Sequence, residues 1–513
     1  MVAKVCAIGL NGIEGYAVEA EGDFRQGERT AISIVGLPDT ATKEARDRIR
    51  SAILNSGFFL PDAEYTLNLA PADIRKEGSW YDLPMVLALL AVTGQIPPLP
   101  KNAAFLGEVS LSGELRPSAG ILPAALAAVQ LGFKDLFVPK KNAKEAASAT
   151  GIRVFGIETL KELCDALSGN GPAPIPHPPL LPEEEEDDYG VDFSEVIGQQ
   201  GAKRALEIAA AGGHNILMIG PPGAGKSMLA KRLPTILPRL SPSEMLETAK
   251  IRSVAGVLDF NKPISTVRPF ASPHHNVTVQ GMAGGGSIPK PGEISLSHNG
   301  VLFLDELPEF SKTVLEALRQ PLEDRKVTIS RAAKTLTYPA AFQLVCAMNP
   351  CPCGYFGHPT RKCTCSPGAA SRHLGKISGP LLDRIDLQIE LPPVTYQDIA
   401  APAKAEETSA EIRKRVEQAR EIQRKRYEGT DTECNARATP RQIKEKFLLS
   451  AEGEEMLRTI FDRLGLSMRA RDKILKVART AADLEGCEEI LSRHISEASF
   501  YRSLDKKYWA RGV

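Results

Sequence analysis

The sequence predicts an α/β protein with two separate α/β domains and a helical region behind the second. Residues 1–168 alternate short β-rich runs with helical patterns, and residues 191–393 do the same. A proline-rich and acidic stretch at 169–190 separates these two regions. Residues 394–513 are predominantly helical, because their apolar residues recur at spacings of three and four.

The overall composition argues against several classes of protein. Lys+Arg and Asp+Glu are equal at 63 each in 513 residues, so no overall basic field indicates nucleic acid and no acidic excess indicates disorder. Apolar runs such as MVLALLAV are too short to cross a bilayer, and the amino terminus lacks the pattern of a signal peptide. We therefore expect a cytoplasmic protein that contacts no membrane. Its nine cysteines then favour metal sites over disulfides.

The first α/β region and the linker are readable from local patterns. TAISIVGL, EYTLNLA and KDLFVP are typical of strands, and YDLPMVLALLAV and LPAALAAVQLG are typical of helices. The linker GNGPAPIPHPPLLPEEEEDDYG carries six prolines followed by six consecutive acids. Proline fixes φ and like charges repel, so we expect a stiff, extended spacer.

The strongest chemical signal is a phosphate-binding loop in the second region. NILMIG predicts an apolar strand, which runs into a glycine-rich loop and then a helix. Glycines let backbone N–H groups close around phosphates at a helix N-terminus, and the lysine and serine supply a cation and an Mg²⁺ ligand. We expect this loop to bind ATP through Gly220, Pro221, Pro222, Gly223, Ala224, Gly225, Lys226 and Ser227.

Two acids follow a second buried strand, VLFLDE. The carboxyl ends of parallel strands meet at the ligand-binding edge of an α/β sheet. Asp305 is therefore predicted to hold Mg²⁺ together with Ser227, and Glu306 to polarise the attacking water. An acidic pair at a strand end is a weak signal alone, but it becomes strong after a phosphate-binding loop.

Two further polar residues have competing interpretations. Asn349 ends the strand FQLVCAMN and could orient the same water, or it could be a turn-forming asparagine before proline. Arg384 in GPLLDRIDL could reach the γ-phosphate in a neighbouring subunit, or it could form a local Asp–Arg surface pair.

The motifs VIGQQ, GPPGAGKS, VLFLDELPEF, LEALRQPLE, AMNP and GPLLDRIDL resemble those of AAA+ ATPases of the magnesium-chelatase type. Over nearly the whole chain the sequence is similar to the bacterial ComM/YifB family. The resemblance implies that Asn349 is sensor 1, Arg384 the trans-acting finger and Arg469 the sensor 2 arginine of a helical lid, with Arg479 as a second candidate. It also implies a homo-oligomeric ring, usually of six subunits.

The first domain resembles the proteolytic domain of Lon-type proteases, which has a ribosomal-S5-type α/β fold. The family's serine motif, D-G-P-S-A-G, falls on residues 77–82, with Trp80 at the nucleophile position and Ser79 one residue out of register. The lysine of its second motif has become Leu122. A serine without a base is a poor nucleophile, so we expect the fold without the protease activity.

Four cysteines cluster in NPCPCGYFGHPTRKCTCSP, as two C-x-C pairs separated by nine residues. Four thiolates can close a tetrahedral structural Zn²⁺ site, which would stabilise a small loop without a core of its own. We predict Zn²⁺ at Cys351, Cys353, Cys363 and Cys365, against the alternative of four free thiols. His358 is a possible substitute ligand.

The stretch 324–342 reads as a hairpin with Arg331 and Lys334 at its tip. In related AAA+ rings such a hairpin points into the pore, where repeated positive charges would contact DNA phosphates. A solvated surface hairpin is the alternative. The segment 271–300 resembles the insertion of chelatase-type modules, and we expect His274 and His275 within it to make structural or polar contacts rather than to bind a metal.

The sequence thus favours an ATP-driven ring motor on single-stranded or branched DNA, with helicase or branch-migration activity. The first alternative is a chelatase-like ATPase subunit that drives a partner protein. The front domain and the cysteine loop argue against it, because chelatase ATPase subunits are expected to resemble the chain only after the linker. An ATP-dependent protease, the second alternative, conflicts with Trp80 and Leu122.

Overall fold

A computed structural model describes residues 2–178, 189–286, 289–331, 334–393 and 406–509. The acidic run of the linker, the start of the predicted lid at 394–405 and the hairpin tip at 332–333 lie outside the described residues. In the part of the chain that the structure describes, no helix combines the length and apolar character needed to cross a bilayer.

The front domain is built on a four-stranded sheet and a three-stranded parallel sheet. The first sheet has the order β1-β2-β4-β3, the second has the order β5-β8-β9, and β6 and β7 form a small ribbon. The elements are β1 (Ala3–Asn11), β2 (Glu14–Gln26), β3 (Ala31–Val35), α1 (Thr40–Asn55), β4 (Ala63–Ala70), α2 (Asp82–Val92), β5 (Ala103–Phe105), β6 (Glu108–Val109), β7 (Leu115–Arg116), α3 (Ile121–Gln130), β8 (Asp135–Pro139), α4 (Ala143–Ala147), β9 (Arg153–Ile157) and α5 (Leu160–Asp165).

The front domain has a hydrophobic core of its own, drawn from residues between Val5 and Cys164. Helix α2 is apolar on every side and lies in the middle of this core, as expected for a helix without a polar face. The proline-rich part of the linker is not a free spacer, because Ile175 donates its backbone N–H to the carbonyl of Val154 on β9 at 2.8 Å.

The second domain is organised around a five-stranded parallel sheet of order β11-β14-β17-β10-β18. Alternate residues of its strands enter two cores, one on each face, as the pleat requires. Its elements are α6 (Gln200–Gly212), β10 (Ile216–Ile219), α7 (Lys226–Ile236), α8 (Pro242–Ala255), β11 (Phe270–Ala271), α9 (Val279–Ala283), β12 (Gly284–Gly285), β13 (Lys290–Pro291), α10 (Glu293–Leu296), β14 (Val301–Leu304), α11 (Lys312–Ala317), α12 (Arg319–Asp324), β15 (Lys326–Arg331), β16 (Lys334–Pro339), β17 (Gln343–Met348), α13 (Ala369–Leu374), α14 (Gly379–Leu382) and β18 (Leu387–Glu390).

The carboxyl-terminal region is helical and shares a core with one face of this sheet. Its helices are α15 (Ser409–Arg426), α16 (Pro440–Lys446), α17 (Ala451–Leu464), α18 (Met468–Leu484), α19 (Ser492–Phe500) and α20 (Leu504–Trp509). Helix α15 starts at a capping box in which Thr408 and Glu411 satisfy each other's backbone N–H groups. It ends on the basic run 424–426, which suits the negative end of the helix dipole.

The front domain packs directly on the second domain through α3 and α8. Gly120 donates its backbone N–H to the carbonyl of Ser253 at 3.0 Å, and the Ser253 hydroxyl donates to the buried carboxylate of Glu145. Burial raises the pKa of Glu145. The turn between β1 and β2 lies against the β15–β16 hairpin, because a Cβ at Gly12 would stand 3.7 Å from Leu336.

Candidate nucleotide-binding and metal sites

The phosphate-binding loop lies between a fully buried strand and a helix, as the sequence predicts. Strand β10 is flanked by β17 and β18 in the sheet, and α7 begins at Lys226. Gly223 and Gly225 have φ of 80° and 87°, which side chains with a Cβ rarely adopt. The loop can therefore turn its backbone N–H groups toward an anion at the N-terminus of α7.

Lys226 is buried and joins two motifs of the site. Its Nζ donates to the carbonyls of Gly220 and Pro221 at 2.8 and 2.9 Å and to Oδ1 of Asn349 at 3.0 Å. Burial lowers the pKa of Lys226. Asn349 does precede a proline, but this contact places its side chain at the phosphate-binding loop, where the sensor 1 interpretation requires it.

Asp305 and Ser227 are in direct contact, which supports the predicted Mg²⁺ pair. The Ser227 hydroxyl donates to Oδ2 of Asp305 at 2.6 Å, and the backbone N–H of Glu306 donates to Oδ1 at 2.9 Å. A hydroxyl and a carboxylate oxygen this close together match the oxygen ligands that Mg²⁺ prefers. Strand β14 lies next to β17, so both groups share an edge of the sheet with Asn349.

Glu306 adopts a backbone conformation that is unusual for a residue with a side chain. Its φ is 52°, in the left-handed region. This conformation directs the Glu306 side chain into an exposed position, where Oε2 lies 3.5 Å from Nδ1 of His275. Polar contacts of His275 were expected from the sequence, but its partner Glu306 was not.

Arg384 lies near the amino-terminal ends of the parallel strands, whereas the phosphate-binding loop lies at their carboxyl-terminal ends. It precedes β18, which runs parallel to β10, whereas the loop follows β10. Its Nε donates to the carbonyl of Arg319 at 3.1 Å, and its guanidinium pairs with Glu323. The alternative interpretation of Arg384 was a local pair with an aspartate. The structure shows an ion pair, but with Glu323 instead of an aspartate.

The two candidate sensor 2 arginines differ sharply in environment. Arg479 is 1% exposed. Its Nε donates to Oδ1 of Asp483 at 3.0 Å and its Nη1 donates to the carbonyl of Glu488 at 2.5 Å, so it is a structural residue. Arg469 is exposed near the start of α18, without a partner among the described residues. Lys473, one turn further along α18, contacts the carbonyl of Ile385 at 3.3 Å, which places this part of α18 on the Arg384 side of the sheet.

The four clustered cysteines come together as the sequence predicts. All four sulfurs lie within 4.8 Å of one another, and Cys351 Sγ stands 3.4 Å from Cys353 Sγ and 3.7 Å from Cys363 Sγ. Four sulfurs in one group match the ligand set of a structural zinc site. His358 is not part of this group, because its Nδ1 accepts the backbone N–H of Arg361 at 3.0 Å.

The cysteine loop also contacts the phosphate-binding loop, which the sequence did not indicate. A Cβ at Gly354 would lie 2.4 Å from Cδ of Pro222, so only glycine permits this approach. The cysteine loop thus packs after the end of β17 and also against Pro222 of the phosphate-binding loop.

In the described part of the front domain, the positions compared with the protease dyad make other contacts. Ser79 lies on a short 3₁₀ turn, and its hydroxyl donates to Glu108. Leu122 is fully buried, and its backbone N–H donates to Glu145 at 2.9 Å. The nearby buried Lys76 donates its ammonium to the carbonyl of Pro71.

The hairpin is formed by β15 and β16, with Arg331 opposite Lys334 in the antiparallel register. Their side chains lie outside the described part of the structure. The base of the hairpin is buried through Ile329, Leu336 and Tyr338.

Comparison with known proteins agrees with this architecture. Families described as "Magnesium chelatase, subunit ChlI", "Subunit ChlI of Mg-chelatase" and "Magnesium chelatase, subunit ChlI C-terminal" match residues 192–399, 20–142 and 406–502. The chain is 44% identical over 476 residues to the YifB protein of Salmonella typhimurium, covering 93% of this chain and 92% of that one. It is 42% identical over 498 residues to the competence protein ComM of Haemophilus influenzae, covering 96% of each chain.

The chain belongs to the ComM/YifB family. Its magnesium-chelatase-type AAA+ domain is preceded by a Lon-like domain, which is 27% identical over 146 residues to Lon protease 2 of Bacillus subtilis, covering 27% of this chain and 26% of that one. One expectation is wrong: the second family match carries a chelatase description and lies before the linker. The front domain therefore does not argue against a chelatase-like role.

Proposed function

We propose that this ComM/YifB family member is an ATP-hydrolysing ring motor that acts on DNA, as a helicase or in branch migration. The observation that carries the proposal is the split site. The loop, Asp305 and Glu306 converge at the carboxyl-terminal ends of the strands, whereas Arg384 lies near their amino-terminal ends. Such a subunit completes its hydrolytic site with a neighbour's arginine, and a closed ring, proposed here as a hexamer, supplies one to every site.

Each residue of the site has a distinct role in this proposal. The loop N–H groups and Lys226 would bind the phosphates of ATP, and Ser227 and Asp305 would hold Mg²⁺, which would neutralise charge on the phosphate oxygens. Glu306 accepts a proton from the attacking water while Asn349 orients it, and Arg384 of a neighbour stabilises charge on the γ-phosphate. Arg469 contributes a second positive charge from the lid. Water adds to the γ-phosphorus and the bond to ADP breaks, which releases phosphate.

DNA is the proposed substrate because of the hairpin and the relatives. Arg331 and Lys334 at the hairpin tip would repeat around a ring and form a basic collar, although the chain as a whole has no net charge. A relative that this chain matches almost end to end is named a competence protein. No base-reading motif is visible, so contacts to the DNA backbone should dominate.

The decisive experiment measures DNA affinity as a function of salt. The double variant Arg331→Ala with Lys334→Ala should bind single-stranded and branched DNA more weakly in fluorescence anisotropy. Each lost phosphate contact should reduce the logarithmic salt slope by about 0.7 on single strands. Lys326→Ala, at the base of the same hairpin, is the matched control.

A chelatase-like ATPase subunit that drives a partner protein remains the second candidate, favoured by the three chelatase descriptions. It predicts that DNA leaves the ATPase rate unchanged and that the double variant has the salt slope of the wild type. Those two results together would replace the DNA proposal.

We also propose that the four-cysteine loop holds a structural Zn²⁺ and that the protein works in the reducing cytoplasm of a bacterium. The support is the closeness of the four sulfurs and the location of three of them in partly exposed positions without a disulfide. The ion would fix the loop that contacts Pro222 and would take no part in hydrolysis.

A further inference from the structure

The backbone that carries Arg384 is held by side chains from distant parts of the chain. The three consecutive carbonyls of residues 383–385 each accept a hydrogen bond from such a side chain. Lys473 on α18 donates to the first and, at 3.3 Å, to the third. Asn215, just before β10, donates to the second at 2.8 Å, and Arg502, just after α19, donates to the third at 2.9 Å. Because the donors come from three separate places, this segment has a fixed position relative to both the sheet and the helical region.

Asn215 is the residue that ties this segment to the sheet. Its Nδ2 donates to the carbonyl of Arg384, and its Oδ1 accepts the backbone N–H of Leu344 on β17 at 2.8 Å. Its backbone carbonyl accepts the N–H groups of Asp386 and Leu387, both at 3.0 Å. A side-chain amide can donate and accept at once, which a hydrocarbon side chain of similar size cannot do. The asparagine side chain therefore bridges β17 and the backbone of the arginine.

The guanidinium of Arg384 lies against its own subunit. Its Nη1 donates to the carbonyl of Pro380 at 2.6 Å, its Nε donates to the carbonyl of Arg319 at 3.1 Å, and it pairs with Glu323. The Arg384 side chain is 17% exposed. An arginine that acts on a neighbour's nucleotide exchanges the Glu323 carboxylate for a phosphate oxygen, while its Cα stays where the backbone contacts hold it. The point that the guanidinium can reach is therefore set by the position of the backbone at this residue.

We propose that Asn215 is a positioning residue for the arginine that each subunit gives to its neighbour. By tying the carbonyl of Arg384 to β17, Asn215 fixes the point from which the guanidinium reaches the neighbouring nucleotide. Misplacement of a group by about 1 Å can cost about 10²-fold in rate, so this tie bears on hydrolysis without touching the nucleotide. Strand β17 also leads to Asn349, so one strand places the water-orienting residue of its own site and the arginine of the next. This inference rests on the proposed function, because it requires Arg384 to act in a neighbouring site.

The test combines substitutions of Asn215 and Arg384 in the full-length protein. Asn215→Ala should lower the kcat for ATP hydrolysis by about 10- to 100-fold and leave the KM for ATP unchanged, because the phosphate-binding loop is intact. Added to Arg384→Ala, the same substitution should slow hydrolysis no further, because no arginine remains to be positioned. Asn215→Asp keeps the acceptor for the Leu344 N–H and loses the donor to Arg384, so it should fold like the wild type and hydrolyse ATP as slowly as Asn215→Ala.

Mixed rings give a second measurement that a folding defect would not reproduce. Asn215→Ala subunits keep an intact nucleotide site, so an arginine from Lys226→Ala neighbours should restore part of the rate. Gln343→Ala is the matched control, because the Gln343 Nε2 donates to the carbonyls of Ala209 and His214, at 3.0 and 2.7 Å, near the same ends of the strands. This control should keep a kcat close to that of the wild type.

A wild-type kcat in Asn215→Ala or in Asn215→Asp would overturn the positioning role. A further loss of rate when Asn215→Ala is added to Arg384→Ala would also overturn it, and so would an equal loss in Gln343→Ala or no recovery in the mixed rings. If Arg384→Ala is slow in these experiments, the shared site stands and only the role of Asn215 fails. If Arg384→Ala hydrolyses ATP at the wild-type rate, the shared site itself fails and the role of Asn215 fails with it.

Discussion

The front domain and the ATPase domain each contain a helix that begins after a glycine in the left-handed conformation. The first residues of one helix are buried in the core, and those of the other face the candidate nucleotide site. Gly120 precedes α3 with φ of 88°, and Gly225 precedes α7 with φ of 87°; neither helix has a side-chain cap. After Gly225 come Lys226 and Ser227, which face the nucleotide site. After Gly120 come Ile121 and Leu122, which are fully buried.

The backbone N–H groups at these two helix starts are also used differently. In α3, Gly120 donates to Ser253 and Leu122 donates to Glu145, so an internal carboxylate occupies the place where an anion would bind. In α7, the loop before the helix is exposed at Pro222 and Gly223. Similar backbone geometry therefore does not make a site. The side chains that follow the glycine, and the group that already accepts from the helix, decide whether a ligand can bind.

The sharpest test of the comparison removes the lysine that follows Gly225. Lys226→Ala should abolish detectable ATP binding in titration with a fluorescent nucleotide, because it deletes the cation that the phosphates require. Lys231→Ala, at an exposed position on the same helix, should bind normally. Tight ATP binding by Lys226→Ala would show that the loop works without the side chain that distinguishes it from the Gly120 turn.

Binding and hydrolysis should separate in the ATPase domain. Glu306→Gln should bind ATP with nearly wild-type affinity but release almost no phosphate, since Lys226 and Asp305 are intact and the proton acceptor is lost. Glu309→Gln, in the turn that follows Glu306, is the control. Turnover at the wild-type rate in Glu306→Gln would exclude the residue as the water-activating base.

The split site predicts complementation between subunits. Arg384→Ala should slow hydrolysis by about 10³-fold or more if the arginine acts on a neighbour's γ-phosphate. Mixing it with Lys226→Ala subunits should restore part of the rate, because some interfaces then combine an intact loop with an intact arginine. Absence of any recovery across a range of mixing ratios would argue against a shared site.

The cysteine loop gives a smaller, indirect effect. Purified protein should contain about one Zn²⁺ per chain by elemental analysis, and Cys363→Ser with Cys365→Ser should lose it. The double variant should unfold at lower temperature and show a higher KM for ATP, because Gly354 no longer supports Pro222. Cys6→Ser in the front domain should retain the metal. Metal-free protein prepared without chelators would contradict the assignment.

Local sequence was sufficient for the parts of the site that follow a strand directly. The loop of β10, the acids after β14 and Asn349 after β17 were predicted because parallel strands deliver their carboxyl ends to one edge. Contacts between segments distant in sequence were not predictable. His275 meets Glu306 only because β11 lies beside β14, and Gly354 meets Pro222 only because β17 lies beside β10.

Side-chain burial decided the remaining differences. Arg469 was the first and Arg479 the second candidate for sensor 2 on the same helix, and the structure buries Arg479 against Asp483 and leaves Arg469 exposed. Arg384 has aspartates on both sides in sequence, but its ion-pair partner is Glu323 on α12. Neither outcome follows from spacing, because each depends on how neighbouring helices pack.

Substitution of Ser79 in the front domain should have the smallest effect of these variants. Ser79→Ala should change neither the ATPase rate nor the stability of the protein appreciably. Neither the wild type nor Ser79→Ala should degrade casein, with or without ATP. The Ser79 hydroxyl donates to Glu108, and the buried ammonium of Lys76 is held by the carbonyl of Pro71, so no described lysine serves the serine as a base. Casein degradation by the wild type that disappears in Ser79→Ala would mean that the front domain keeps a nucleophile despite Trp80 and Leu122, and that its Gly120 helix start is part of an active site after all.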